Sequence, residues 1–149
     1  MCLPKHQKEE WQKAYQEELE ALKRHNVYGI ADLSKRRKLI KCHWVFDQKT
    51  DGRKKARLVA KGFSQIEGVD FDEIFSPVVR FESMCLILAL TALEGWHISG
   101  LDVKSAFLYG KLEEEIYMQQ PDGFKIKGQE HKVLHLQCAI YELRQAALA

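Results

Sequence analysis

Cysteine is sparse in this chain. Cys2, Cys42, Cys85 and Cys138 are scattered, with no C-x-x-C pair and no histidine at metal spacing from any of them. That scatter argues against a disulfide framework and a structural zinc site. It points to a reduced, intracellular chain, cytoplasmic or nuclear. Three prolines and nine glycines in 149 residues exclude a collagen-like or low-complexity chain. No glycine-rich phosphate loop is present, since Gly62 and Gly68 stand alone. The six histidines are dispersed, and no Ser-His-Asp or Cys-His arrangement stands out. The longest apolar run, near Met84 to Leu93, is too short to span a membrane. The first residues are polar (Lys5, Lys8, Glu9, Glu10), so no signal peptide is expected.

What is present is an uneven charge. The formal net charge is +2, but residues 1–65 carry 16 Lys/Arg against 8 Asp/Glu, and residues 66–149 carry 7 against 13. A basic half joined to an acidic half hints at a polyanion partner for the first. With 46% hydrophobic and 30% charged residues, the chain can fill a core, which excludes wholesale disorder.

Periodicity gives the elements. Trp11, Tyr15, Leu19 and Leu22 recur at helical spacing, which predicts a helix over 6–25 that stops around Asn26 to Gly29. Trp11, Ala14, Glu18 and Leu22 define one of its faces. Val27–Ile30 is a short strand candidate, followed by the basic run Lys35-Arg36-Arg37-Lys38. Residues 39–63 read as a β-hairpin, with arms Cys42–Phe46 and Ala56–Ala60 and the turn signal Asp51-Gly52 between them. Residues 35–61 hold eleven Lys/Arg against two acids. Such a hairpin is either a phosphate-facing device or an exposed element kept soluble by its charge. Residues 64–79 read as a loop anchored by Phe71 and Phe75, with Asp70, Asp72 and Glu73 on its surface. Residues 80–94 are predicted as a well-buried helix ended by Gly95. Trp96–Val103, Glu115–Gln119 and Val133–Leu136 are strand candidates. Pro121-Asp122-Gly123 is a turn, and Ala139–Ala149 has helical composition.

Asp102 is the informative acid, because it ends a hydrophobic stretch. A carboxylate there suits a divalent cation such as Mg²⁺. It equally suits the N-cap of a short helix. A two-metal phosphoryl-transfer site needs several carboxylates.

Read as motifs, the chain resembles the reverse transcriptases of copia-type long-terminal-repeat retrotransposons. Trp11 to Ala14 with Glu17-Glu18-Leu19 and Leu22 resembles the opening helix. His43-Trp44-Val45-Phe46, Asp51-Gly52 and Lys55 to Phe63 with Gln65 resemble the fingers hairpin. Gly68-Val69-Asp70-Phe71 and Phe75-Ser76-Pro77-Val78-Val79 resemble the stretch that comes after that hairpin in the family. Leu101 to Gly110 resembles the first polymerase aspartate motif. Ile116 to Pro121 with Gly123-Phe124, then Tyr141, Leu143, Arg144, Gln145 and Ala146, complete the series.

The resemblance implies an α+β fold: fingers and partial palm of a right-hand polymerase. Its parts would be a basic β-hairpin, helices and a small, incomplete, mostly antiparallel sheet. Residues 1–149 would form one truncated domain, fingers-like to about residue 80 and palm-like from about residue 96. The implied activity is RNA-directed DNA polymerisation with two Mg²⁺ ions, on a template–primer and deoxyribonucleoside triphosphates, with no membrane partner. Asp102 would be the catalytic, metal-binding carboxylate. Lys49, Arg57, Lys61, Ser105, Ala106, Phe107 and Gln145 would bind the nucleotide, Phe107 as an aromatic gate against a ribose 2′-hydroxyl. Lys41, Lys54 and Lys55 would contact nucleic acid. The chain departs from the family pattern in three ways. No Asp-Asp pair occurs in it, so the Tyr-x-Asp-Asp element is missing and the isolated chain is expected to be inactive. Glu142 stands where the family usually has glycine. Asp47 stands where it usually has a basic residue. The alternative is a non-catalytic nucleic-acid-binding remnant.

Overall fold

The structure is a computed structural model that describes residues 5–103 and 105–149. Cys2 and Lys104 lie outside the described residues. The chain is mixed α/β; the described residues form two helices, two small sheets and two 3-10 turns.

Helix α1 runs from Lys5 to Arg24. It ends where Asn26 takes a left-handed backbone, φ 50°. There the Val27 amide donates to Leu22 O and the Asn26 amide to Lys23 O, both at 3.0 Å. That pair of bonds satisfies two of the last carbonyls, and Asn tolerates the conformation that β-branched residues avoid.

Strands β1 (Tyr28–Ala31), β2 (Leu39–Ile40), β5 (Lys111–Met118) and β6 (Val133–Cys138) form one sheet in the order β1-β6-β5-β2. Its first two pairings are antiparallel and β2 runs parallel to β5. Strands β3 (Cys42–Gln48) and β4 (Lys54–Ala60) form the hairpin, in register from Cys42↔Ala60 to Gln48↔Lys54. Local chemistry closes its turn. Gly52 sits at φ 84°, and the Gly52 amide donates to Lys49 O at 2.9 Å. The Asp51 carboxylate accepts from the Arg53 amide at 3.1 Å and from Arg53 Nε at 2.7 Å.

One core joins these parts. Leu22 and Val27 from the α1 end, Leu58 and Ala60 from the hairpin, Ile40, Ile116, Met118, Leu134 and Leu136 from the four-stranded sheet, and Ile140 and Leu143 beyond it are all buried together. Burying each such Leu or Ile side chain contributes roughly 1.5–3 kcal/mol. The free edge of β4 is covered twice. Glu18 of α1 accepts from the Leu58 amide at 3.2 Å, and Tyr141 O accepts from the Ala60 amide at 3.1 Å. Pairing an edge in this way removes a site of unwanted strand addition.

Several expectations are corrected. Helix α2 (Phe81–Glu94) forms, and Gly95 ends it at φ 67°. It is not buried, however: Thr91 is its one buried residue, while Leu93 is 82% exposed. Its apolar residues surround it, and such a helix needs neighbours on every side. The described residues do not supply them. Trp96–Val103 is not a strand, since an apolar alternation signals burial but does not provide a pairing partner. Ala139–Ala149 is a series of turns, because Tyr141 pairs with β4 and Glu142 takes φ 64°. Phe71 is buried, but Phe75 is exposed. Asp70 is a core residue: its Oδ2 accepts from the Ile66 amide at 2.8 Å and closes the loop inward. Among the described residues no helix is long and apolar enough to cross a membrane.

Candidate functional site

A cleft of about 850 Å³ opens between α1, the hairpin and the segment beyond Leu101. The hairpin contributes Lys49, Lys54, Lys55 and Arg57, and the later segment contributes Asp102, Ser105, Ala106 and Phe107. Eight of the eleven residues that the sequence singles out therefore meet at one place. The 3-10 turn Ala106–Tyr109 holds Phe107 at the rim, with Leu108 buried behind it.

Strand alternation sorts the basic residues. Lys55 and Arg57 share one face of β4 and Lys54 takes the other. Lys54 Nζ donates to Gln48 Oε1 at 2.6 Å and sits 5.4 Å from the Trp11 ring centre. Asp47 Oδ2 lies 3.7 Å from Arg57 Nη1 and 3.7 Å from Lys49 Nζ. Such half-exposed pairs are worth about 0–1 kcal/mol each, so both cations remain available to a stronger anion. Arg57 also sits over the Tyr141 ring, 5.8 Å from its centre. Phe107 packs edge-on against the same ring at 5.6 Å.

Two shifted groups mark the cleft wall. Burial pushes the Glu18 carboxyl above its usual range, opposed by the Leu58 N–H and by the charges of Lys55 and Arg57. Burial, then the neighbouring charges of Arg57 and Lys49, lower the Lys55 ammonium from its usual value. Crowded cations with too few local anions describe a site that favours a polyanion.

Asp102 is exposed at the cleft. It is not the N-cap of the following turn. That position belongs to Ser105, at φ 55°, which makes no side-chain cap bond. Among the described residues no group of three or more His, Cys, Asp or Glu is placed to hold a metal ion. One exposed carboxylate does not fit the two Mg²⁺ ions that the family implies.

Three of the singled-out residues lie elsewhere. Lys41 and Lys61 meet at the base of the hairpin, where the Lys61 amide donates to Lys41 O at 2.8 Å. Gln145 is buried. Its Oε1 accepts from Gln65 Nε2 at 3.0 Å, and its Nε2 donates to Asp70 O at 2.9 Å. The basic run near residue 37 is largely structural: Arg37 pairs with Glu115 at 3.3 Å and donates to Val69 O, and Lys38 donates to Ser64 O at 3.0 Å. A second cleft of about 1020 Å³ lies there, lined by both signs of charge, including Arg36, Asp72, Glu73 and Glu113. Three basic residues there, Arg36, Arg37 and Lys111, face five acidic ones, so it does not favour a polyanion.

Sequence reasoning missed Glu18 and Tyr141 as cleft residues. The signal for Glu18 was present, an acid on the apolar face of α1. Tyr141 is placed by a pairing with β4 that no local pattern encodes.

The family described as reverse transcriptase (RNA-dependent DNA polymerase) matches residues 25–149. The chain belongs to that family. It is 50% identical over 145 residues to the retrovirus-related Pol polyprotein from transposon TNT 1-94 of Nicotiana tabacum, covering 94% of this chain and 11% of that protein. It is 45% identical over 116 residues to the retrovirus-related Pol polyprotein from transposon RE2 of Arabidopsis thaliana, covering 74% of this chain and 8% of that protein. The chain spans about a tenth of the length of these curated relatives. No solved structure matches it. This reverse transcriptase segment places Lys49, Lys54, Lys55 and Arg57 of the hairpin, Asp102 and Ser105 to Phe107 on one cleft.

Proposed function

We propose that this segment is the nucleotide- and template-gripping part of a retrotransposon reverse transcriptase, fingers-like to about residue 80 and palm-like from about residue 96. The observation that carries the reading is the single cleft shared by Lys49, Arg57, Asp102, Ser105, Ala106 and Phe107. The partners are a template–primer and a deoxyribonucleoside triphosphate. Arg57 and Lys49 take phosphate oxygens, exchanging the weak Asp47 pairs for charge-assisted bonds to a phosphate. Lys54 and Lys55 add backbone contacts, with Lys41 and Lys61 extending the grip along the hairpin base. Ser105 and Ala106 form the floor beneath the sugar. The Phe107 ring blocks the space that a ribose 2′-hydroxyl would need. A contact from Gln145 to the nucleotide would require its amide to release Gln65 or Asp70.

Asp102 supplies one carboxylate at the reacting end of this cleft. Among the described residues the carboxylates near it do not fit a pair of Mg²⁺ ions. Primer extension by the 149-residue chain alone is expected to be undetectable. The setting belongs to the same proposal and is intracellular; Cys42, Cys85 and Cys138 are free thiols, and burial pushes Cys42 up to about 11.

Photo-crosslinking with 8-azido-dATP tests the reading. Adducts are expected on peptides spanning 49–57 or 102–107. Adducts spread over the chain without preference would contradict it.

A further inference from the structure

The Tyr141 side chain touches both Arg57 and Phe107 in the cleft. The Arg57 guanidinium carbon lies 5.8 Å from its ring centre. The Phe107 ring meets it at 5.6 Å with an interplanar angle of 70°. Both geometries are attractive: a cation over an aromatic face, and an edge-to-face aromatic pair.

The ring is also held in place by its backbone. Tyr141 O accepts from the Ala60 amide at 3.1 Å, and Tyr141 bridges Val59 in parallel. The next residue, Glu142, is left-handed, and its carbonyl lies so close to Gly62 that a Cβ there would come within 2.0 Å of it. Tyr141 is thus anchored to β4, the strand that carries Arg57, and it meets Phe107 from the opposite side of the cleft.

We propose that Tyr141 is a positioning residue that fixes Arg57 and Phe107 relative to each other, so that the phosphate grip and the choice of deoxyribose over ribose depend on one ring. The inference rests on the reading of the cleft as a nucleotide site. Among the described residues Arg57 has one ion-pair partner, Asp47, which it shares with Lys49. Removal of the ring leaves Arg57 free to turn towards that carboxylate. Phe107 loses the edge that fixes its tilt, and the barrier to a 2′-hydroxyl softens with it.

Calorimetric titration of the full chain with dATP and with ATP tests this. Tyr141→Leu keeps an apolar side chain of similar reach and removes the ring. Tyr141→Phe keeps the ring and removes the hydroxyl. The expected result is that Tyr141→Leu weakens dATP binding roughly tenfold, within the range set by losing a cation–π contact, and brings the dATP-to-ATP affinity ratio towards one. Tyr141→Phe should restore both to within about twofold of the parent. Three results would overturn the inference: undiminished dATP binding in Tyr141→Leu, an equal loss for dATP and ATP that leaves their ratio unchanged, or a Tyr141→Phe variant as weak as Tyr141→Leu. A parent chain that binds neither nucleotide removes the cleft reading as well, which separates the two failures.

Discussion

Gln65 Nε2 donates to Gln145 Oε1 at 3.0 Å, joining segments 80 residues apart in the chain. Gln65 Oε1 accepts from the Arg144 amide at 2.8 Å. The Gln65 amide therefore satisfies one donor and one acceptor of the 144–145 segment.

Gln65→Leu should leave Gln145 Oε1 without a partner in a buried place and the Arg144 N–H without one in a part-buried place. A buried group left unsatisfied costs about 1–3 kcal/mol, so a loss of about 2–4 kcal/mol is expected for the two together. The urea midpoint of the variant reads it. A change of less than about half a kcal/mol, the range of surface substitutions, would show that the pair is not structural.

Glu142 holds φ 64°. A left-handed non-glycine residue costs roughly 1–2 kcal/mol, and glycine costs about 0.5–1 kcal/mol in chain entropy. Strain wins by a small margin, so Glu142→Gly is expected to stabilise the chain by about 0.5–1 kcal/mol. Thermal unfolding should show a higher midpoint. A lower midpoint would mean that the Glu142 side chain makes a compensating contact.

Glu18 sets a pH dependence. Burial raises its pKa from the ordinary 4.5. The folded state thus holds the proton more tightly than the unfolded state does. That contribution is fully present below the unfolded pKa and is lost as pH rises through the folded one. Glu18→Gln cannot titrate. Its stability relative to the parent is expected to increase with pH above about 4.5 and level off once pH has passed the raised folded value. Denaturant midpoints across that window check it, and a flat difference would contradict the assignment.

Exposure divides two leucines of equal size. Leu136 is 2% exposed in the core and Leu93 is 82% exposed on α2. Leu136→Ala should cost about 2–5 kcal/mol, and Leu93→Ala less than about 0.5 kcal/mol apart from its helix propensity. Comparable losses from both would show that α2 is packed in solution.

The hairpin was legible because its determinants are local: Asp51-Gly52 closes the turn, and alternation in both arms sets the register. Helix α1 was legible from its spacing, and Asn26 and Gly95 marked the helix ends correctly. The exposure of α2 was not legible, since apolar residues state a need for burial without naming a partner. The backbone at Tyr141 and Glu142 was not legible as a whole. A composition suited to helix lost to a pairing with β4, far upstream in the chain. At the site, Lys49, Arg57, Asp102, Ser105, Ala106 and Phe107 line one cleft. Gln145 lies apart from them, where Gln65 and Asp70 hold its amide in the core.

The most direct measurement is binding of the purified chain to a primer–template duplex across a salt titration. If the hairpin cations grip phosphates, log affinity should fall linearly with log salt, with a slope of about −2 to −4 for two to four neutralised phosphates. Arg57→Ala should reduce the magnitude of that slope by about one. No binding at low salt, or binding indifferent to salt and to Arg57→Ala, would contradict the assignment of the cleft to nucleic acid.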